Sequence, residues 1–190
     1  NQYAGQVAVV YAPYDAIEML DQADGRFDGV DPNSRTGTAL AAADIDSDGL
    51  VDLAIGAPNQ NGGTVYLVND TDQVNSLANA PSLLISPTEA ARFGATLALS
   101  DIGGDGTPDL IVGAPDDDQG ALLAGAVYVY SRDPTAVGLS PGQHLPDAVL
   151  MGDAEGARLG TSLAPVEDGV WIGLPGADNG VGGLQFLLWY

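Results

Sequence analysis

Short apolar runs rich in β-forming residues recur along the chain, separated by clusters of Gly, Pro, Asn and Asp. With 26 glycines and 12 prolines, no long periodic apolar stripe is left for a helical bundle. The pattern therefore predicts an all-β fold of many short strands. The clearest strand candidates are Gly5–Tyr11, Ala16–Leu20, Gly63–Val68, Ser82–Ser86, Gly125–Tyr130, Ala148–Gly152 and Gly183–Tyr190.

The chain also contains an internal repeat. Residues 35–58 (RTGTALAAADIDSDGLVDLAIGAP) align with residues 92–115 (RFGATLALSDIGGDGTPDLIVGAP), which lie 57 positions later. Residues 158–175 (RLGTSLAPVEDGVWIGLP) match both ends of this pattern and are shortened in the middle. Each period holds four strand candidates in about 60 residues, which is what a blade of a β-propeller requires. We expect four-stranded antiparallel blades, about three of them.

The repeats divide the 190 residues of a single propeller segment into four parts. Residues 1–34 supply strands of a preceding partial blade, 35–86 form repeat 1, 87–152 form repeat 2, and 153–190 form a degenerate repeat 3. A propeller closes with roughly four to eight blades. We therefore expect a partial propeller, which is completed either by further blades of a longer chain or by other copies of this one.

The charge is strongly unbalanced, with 26 acidic residues, five basic residues and a net charge of −21. Such a chain repels nucleic acids and anionic membranes, and no apolar run approaches the roughly 20 residues of a membrane span. There is no cysteine, which excludes disulfides and thiolate metal sites. Something else must fasten the loops.

Ordered aspartates suggest what fastens them. The run DIDSDGLVD places oxygen donors at loop positions 1, 3, 5, 7 and 9 around a glycine, as hard cations require. The predicted ligands of this first loop are the side chains of Asp44, Asp46, Asp48 and Asp52 and the backbone carbonyl of Leu50.

A second loop repeats the pattern with one gap. Its predicted ligands are the side chains of Asp101, Asp105 and Asp109 and the carbonyl of Thr107. Gly103 stands at position 3 and offers no side-chain oxygen, so we expect a weaker or more hydrated site. Repeat 3 retains only Glu167 and Asp168, and no metal is expected there. An EF-hand is excluded, because position 12 is Ile55 or Val112 rather than glutamate.

These motifs resemble the FG-GAP repeats of integrin α-subunit propellers and their bacterial relatives. The resemblance is carried by Phe93-Gly94, by the Gly-Ala-Pro sequences at 56–58 and 113–115, and by the aspartate loops between them. It implies that calcium sits in a hairpin loop between the two inner strands of a blade, at two sites in this chain.

The resemblance also implies a calcium-stabilised extracellular or cell-surface module that binds a protein or glycan ligand, without catalysis of its own. We expect any secretion signal to lie outside this chain. Two alternatives stay open, since a fold does not fix a function. One is the propeller domain of a secreted enzyme acting on polysaccharide or lipid; the other is a structural subunit of a surface assembly.

Three of the five arginines, Arg35, Arg92 and Arg158, share one repeat position. They either brace the corners between blades or form part of an anion-binding ring, and repetition favours the structural interpretation. Asp116–Asp118 follow the second Gly-Ala-Pro sequence and form either a polar ligand face or a solvated loop. The lone His144 lies in a loop without a catalytic partner at a recognisable spacing.

Overall fold

The computed structural model describes residues 4–11, 23–69, 77, 80, 82–89, 91–131, 145–166 and 169–187. These ranges contain thirteen strands and one short helical turn. The elements are β1 Gln6–Val9, β2 Gly25–Asp28, β3 Leu40–Ala43, β4 Asp52–Ala57, β5 Thr64–Val68, β6 Ser82–Ile85, β7 Thr96–Ser100, β8 Asp109–Ala114, β9 Ala126–Tyr130, β10 Ala148–Met151, β11 Ser162–Val166, β12 Gly169–Leu174, α1 Ala177–Gly180 and β13 Gly183–Leu187.

All strand pairs are antiparallel and fall into four sheets. Two sheets are complete four-stranded blades in chain order, β3-β4-β5-β6 and β7-β8-β9-β10. A two-stranded sheet, β1-β2, precedes them, and a three-stranded sheet, β11-β12-β13, follows. The prediction of an all-β partial propeller with about three blades is confirmed. The boundaries that we drew between repeats stay predictions.

The strand that pairs with β1 before repeat 1 is not the candidate that the sequence predicts. Ala16–Leu20, our candidate, lies outside the described residues, and the strand that pairs with β1 is β2 at Gly25–Asp28. The repeat frame accounts for this position. The strands β2, β6 and β10 begin at residues 25, 82 and 148, each ten residues before the repeat arginine at 35, 92 or 158.

The core lies between the sheets. Every residue of β4, β5, β8 and β9 is buried, because each of these central strands has a neighbouring blade on both faces. Three apolar clusters fill the three junctions between successive sheets. Side chains therefore alternate between facing the preceding blade and facing the following one, rather than between core and solvent.

A backbone seam joins each sheet to the next. The glycine before each third strand forms an isolated parallel bridge with the residue that precedes the repeat glycine of the following blade. The bridged pairs are Gly5–Thr36, Gly63–Phe93 and Gly125–Leu159. A Cβ atom on Gly63 would lie 2.3 Å from the backbone nitrogen and oxygen of Phe93, so the seam requires glycine there.

The start of each repeat is a tight turn that carries its arginine in a left-handed backbone conformation, with φ of 55° in all three cases. In the first turn, the carbonyl of Arg35 accepts a hydrogen bond from Thr38 N at 3.1 Å. The third residue of each turn is a glycine with positive φ, as a type II turn requires. These glycines are Gly37, Gly94 and Gly160, with φ of 87°, 82° and 84°.

Phe93 is the central side chain of the junction between the two complete blades. It is fully buried and packs edge-on against Tyr128, with ring centroids 5.3 Å apart, and against Tyr130 at 6.4 Å. Val65 and Leu67 of the preceding blade belong to the same cluster. The phenylalanine of the repeat motif therefore connects two blades.

None of the helical residues in the described ranges belongs to a helix long and apolar enough to cross a membrane.

We predict that Phe93→Ala lowers the free energy of unfolding by about 3–5 kcal/mol, because it opens a cavity at a junction that both blades share. Urea unfolding followed by tryptophan fluorescence measures the change. Leu145→Ala is the control, since Leu145 is 82% exposed, and it should change stability by less than about 0.5 kcal/mol. Equal losses in the two variants would contradict the assigned role of Phe93.

Candidate metal centre

Both aspartate loops lie at the bend of a hairpin between the first and second strands of a blade. Residues 44–51 connect β3 to β4, and residues 101–108 connect β7 to β8. The two loops have the same backbone form. Ser47 and Gly104 have φ of 61° and 69°, and Gly49 and Gly106 have φ of 92° and 91°. The left-handed residues turn the chain sharply enough for side chains of one loop to converge.

In the first loop, carboxylate oxygens of Asp44, Asp46 and Asp48 lie within 4.8 Å of one another. Backbone amides hold this arrangement from inside the loop. Gly49 N donates to Asp44 Oδ2 at 2.9 Å, and Leu50 N donates to Asp48 Oδ1 at 2.8 Å. The loop thus presents three carboxylates at one point, which an all-oxygen donor set for a hard cation requires.

Asn69, at the end of β5, supports this cluster from the neighbouring strand. Its side-chain amide donates to Asp46 Oδ2 at 3.0 Å and so fixes the direction of that carboxylate. Sequence reasoning missed this contact, because Asn69 stands 23 positions from Asp46 and only the pairing of β4 with β5 brings it close.

Asp52 and Asp109 are the first residues of β4 and β8, and both are almost fully buried. Asp52 Oδ2 accepts from Ile45 N at 2.8 Å, and Asp109 Oδ2 accepts from Ile102 N at 2.7 Å. Each carboxylate therefore ties the start of its loop to the following strand. The three-carboxylate cluster does not include Asp52, so its role as a ligand stays a prediction.

Burial raises the pKa of Asp109, and the carboxylates of Asp105 and Asp101 add to the shift. Hydrogen bonds from the amides of Ile102 and Gly103 act in the opposite direction without cancelling it. The carboxylate of Asp109 is therefore less stable in the loop than it would be in water, and a cation in the loop would relieve that cost.

The second loop retains the backbone pattern with one carboxylate fewer. Asp101 Oδ2 accepts from Gly106 N at 2.9 Å, as Asp44 does from Gly49 N. Thr107 N donates to Asp105 Oδ1 at 2.9 Å, and the Thr107 hydroxyl bonds to the same oxygen. At position 3, Gly103 leaves a space facing Asp109, and among the described residues no group of three acidic side chains forms in this loop.

The residues present fit a calcium ion in the first loop and fit it less fully in the second. The carbonyl oxygens of Leu50 and Thr107 stay predicted ligands. Glu167 and Asp168, the remnant of the third loop, lie outside the described residues, and so does His144.

The repeated arginines lie at the other end of the inner strands, before β3, β7 and β11. Arg92 Nη1 lies 3.7 Å from Asp116 Oδ2, and Arg158 Nε lies 4.0 Å from Asp116 Oδ1. One carboxylate thus stands between arginines of two successive blades. For this pair the bracing interpretation agrees with the geometry.

The aspartates after β8 have separate roles. Asp117 is buried, and its Oδ2 accepts from the hydroxyls of Tyr128 at 2.6 Å and Thr88 at 2.7 Å. In the preceding repeat Gln60 takes the place of Asp117 and accepts from the hydroxyl of Tyr66 at 2.8 Å. Asp117 is therefore a structural residue, and of the three aspartates only Asp118 is exposed.

Comparison with known families agrees with this geometry. The FG-GAP repeat family matches residues 36–68 and 93–130, which cover both complete hairpin loops and the strands that follow them. The chain carries FG-GAP repeats. It is an FG-GAP β-propeller segment, and the two matched stretches are the two complete blades up to their third strands.

Curated relatives include a phospholipase and integrin alpha subunits. The segment is 31% identical over 140 residues to bovine phosphatidylinositol-glycan-specific phospholipase D, covering 67% of this chain and 17% of the relative. It is 34% identical over 148 residues to integrin alpha-5 of Xenopus laevis, covering 70% and 14%. It is 36% identical over 136 residues to human integrin alpha-7, covering 67% of this chain and 10% of the relative. The chain thus spans 17% or less of the length of these proteins.

We predict that Gly103→Asp strengthens calcium binding by the second loop roughly tenfold, since it adds the missing carboxylate. The change is sterically open, because a Cβ atom there meets only Asp109 Oδ2, at 3.9 Å. Isothermal titration calorimetry measures the affinity, with Asp44→Asn in the background to weaken the first loop.

Gly103→Asn is the matched control, since it supplies an oxygen without a charge and should give a smaller gain. In chelator the Asp variant should melt below the Asn variant, because its carboxylate then faces Asp109 without a cation. An unchanged affinity in both variants would exclude position 103 from the metal site.

Proposed function

We propose that this segment is a calcium-stabilised, non-enzymatic binding module of an extracellular FG-GAP propeller. The observation that carries the proposal is the convergence of Asp44, Asp46 and Asp48 at a hairpin bend. The second loop supports it with the same backbone form at a site that we expect to be weaker. Calcium would fasten the first two strands of each complete blade.

The expected calcium affinity and the stabilisation that it gives suit a structural role for the ion. Extracellular modules bind calcium at roughly 0.1–1 mM, a range met outside cells. A tenfold excess of calcium over the dissociation constant stabilises a fold by about 1.4 kcal/mol per site. In a chain without cysteine, two such sites take the place that disulfides have in many secreted proteins.

The relatives support a binding role over a catalytic one. The same segment recurs in proteins named as integrin alpha subunits and in proteins named as a phospholipase. A segment common to both is not tied to the chemistry of the phospholipase. We therefore place the function in what the segment contacts, a protein or a glycan, and expect no turnover from it.

We further propose that another blade covers the open face of the β11-β12-β13 sheet. Trp171 and Leu184 lie on this face with 44% and 74% of their surface exposed, and Trp171 packs on Phe186 with ring centroids 4.5 Å apart. By repeat position they match residues of the second blade, Ile111 and Val127, that are fully buried against β12. The open face thus continues the pattern of an interface between blades.

The opposite end of the segment has a different chemistry. On β1 and β2, Gln6 and Arg26 bond to Asp28, at 2.5 Å and 3.0 Å, and this group is exposed. A polar, charged face is a poor match for Trp171 and Leu184. We therefore favour completion by further blades of a longer chain over head-to-tail pairing of two copies.

Calcium should raise the melting temperature of the segment by roughly 5–10 °C at tenfold excess over both dissociation constants, and chelator should reverse the rise. Scanning calorimetry with calcium, magnesium and chelator measures it. Asp44→Asn with Asp101→Asn should remove most of the response. Asp118→Asn with Asp153→Asn removes the same charge outside the loops and should leave the response intact; a melting temperature indifferent to chelator would refute the calcium role.

The open face should bind an apolar dye. Trp171→Ser with Leu184→Ser is expected to lower the fluorescence of bound anilinonaphthalene sulfonate severalfold with little loss of stability, because both side chains are largely exposed. Leu122→Ser with Leu145→Ser, two exposed leucines elsewhere, is the matched control. Equal dye binding by both double variants would remove the case for a covered face at β12 and β13.

A further inference from the structure

The turn that opens repeat 1 borders a pocket of about 650 Å³ at the junction between the β1-β2 sheet and the first complete blade. It lies at the end of β3 opposite the first aspartate loop, since Arg35 precedes this strand and Asp44 follows it. The residues that line it include Asn33, Arg35, Thr36, Thr38 and Asn59.

Arg35 differs from the two arginines that share its repeat position. Arg92 and Arg158 both lie beside the carboxylate of Asp116. Arg35 is exposed, and among the described residues it forms no ion pair. In a chain with a net charge of −21, a guanidinium without a carboxylate beside it is unusual.

The cause is one substitution between repeats. Asn59 stands 57 positions before Asp116 and occupies the same place in its blade. Asn59 N donates to the carbonyl of Ser34 at 3.2 Å, just as Asp116 N donates to the carbonyl of Ala91 at 3.2 Å. The backbone is therefore equivalent, and the neutral amide of Asn59 replaces the carboxylate that accompanies Arg92.

We propose that this pocket, here called the Arg35 pocket, binds the carboxylate of a sugar acid, such as a uronate residue of a glycan. The ligand carboxylate takes the part that Asp116 plays in the next blade and pairs with the guanidinium of Arg35. Arginine suits this task because its donors match a carboxylate in a planar, two-pronged geometry.

The rest of the pocket suits a hydroxyl-rich ligand. The lining includes two asparagines, whose amides can both donate and accept, and no aromatic or acidic side chain is among the lining residues of the described chain. The volume falls within the range of small-ligand sites.

This inference deepens the binding role proposed above and rests on it, yet it depends on a site that is remote from both calcium loops. The test is a titration of the calcium-saturated chain with a glucuronate-containing disaccharide, followed by amide shifts in NMR spectra. The methyl ester of the same disaccharide and a hexaglutamate peptide are the comparison ligands. Shifts confined to the Arg35 pocket, seen with the free acid and absent with the ester, are the expected result.

Two variants test the residues. Arg35→Gln removes the guanidinium, and Asn59→Asp supplies the internal carboxylate that the next blade already has. Each should weaken binding about tenfold or more, the usual loss for a charge-assisted hydrogen bond. Asn61→Asp adds the same charge two residues away on a side chain outside the pocket lining, and Arg158→Gln removes the equivalent arginine of repeat 3; both should bind as the parent does.

Undiminished binding by Asn59→Asp, or no binding of the free acid by the parent chain, would overturn the proposal. Binding of hexaglutamate in the pocket without binding of the uronate would overturn the sugar assignment. Melting in calcium and in chelator, recorded for every variant, separates this outcome from a failure of the calcium role, because none of the substitutions touches the aspartate loops.

Discussion

The structure depends on a close backbone approach between successive blades. Gly5, Gly63 and Gly125 each bring the start of a third strand into contact with the opening turn of the next repeat. The approach is so close that any side chain at Gly63 would collide with the backbone of Phe93. It fixes where each blade begins, and it places the phenylalanine of the repeat motif between two sheets.

The seam explains why the motif has its residue types. Gly56 lies against the carbonyl of Gly94 in the next blade, where a Cβ atom would come within 2.1 Å of the oxygen. The glycines of the FG and GAP sequences thus meet each other across the junction. A residue with a side chain at either position would push the blades apart and open the cluster around Phe93.

Much of this fold could be predicted from the sequence, because the residue pattern of one blade occurs in several copies that can be aligned. The spacing of Arg35 and Arg92 located the inner hairpins, and the aspartates at positions 1, 3 and 5 located the bend between their strands. The fourth strand was harder to find: β2 reads Gly-Arg-Phe-Asp and lacks an apolar run, so only the distance to Arg35 identifies it.

Only part of each candidate site could be predicted from the sequence. The carboxylates of Asp44, Asp46 and Asp48 are local, so their convergence follows from loop spacing. The contact from Asn69 depends on strand pairing, and the position of Asp116 between two arginines depends on how blades stack. The aligned repeats show that Asn59 stands where the next repeat has Asp116. The consequence of this difference for binding follows only from the pocket beside Arg35 in the structure.

The burial of β4, β5, β8 and β9 on both faces has a consequence for how the molecule comes apart. Each of these strands draws its stability from two neighbours, whereas β13 and β1 have a neighbouring sheet on one side only in the described chain. Local unfolding should therefore begin at the outer sheets and proceed toward the middle of the segment. The middle junction around Phe93 would be the last to admit water.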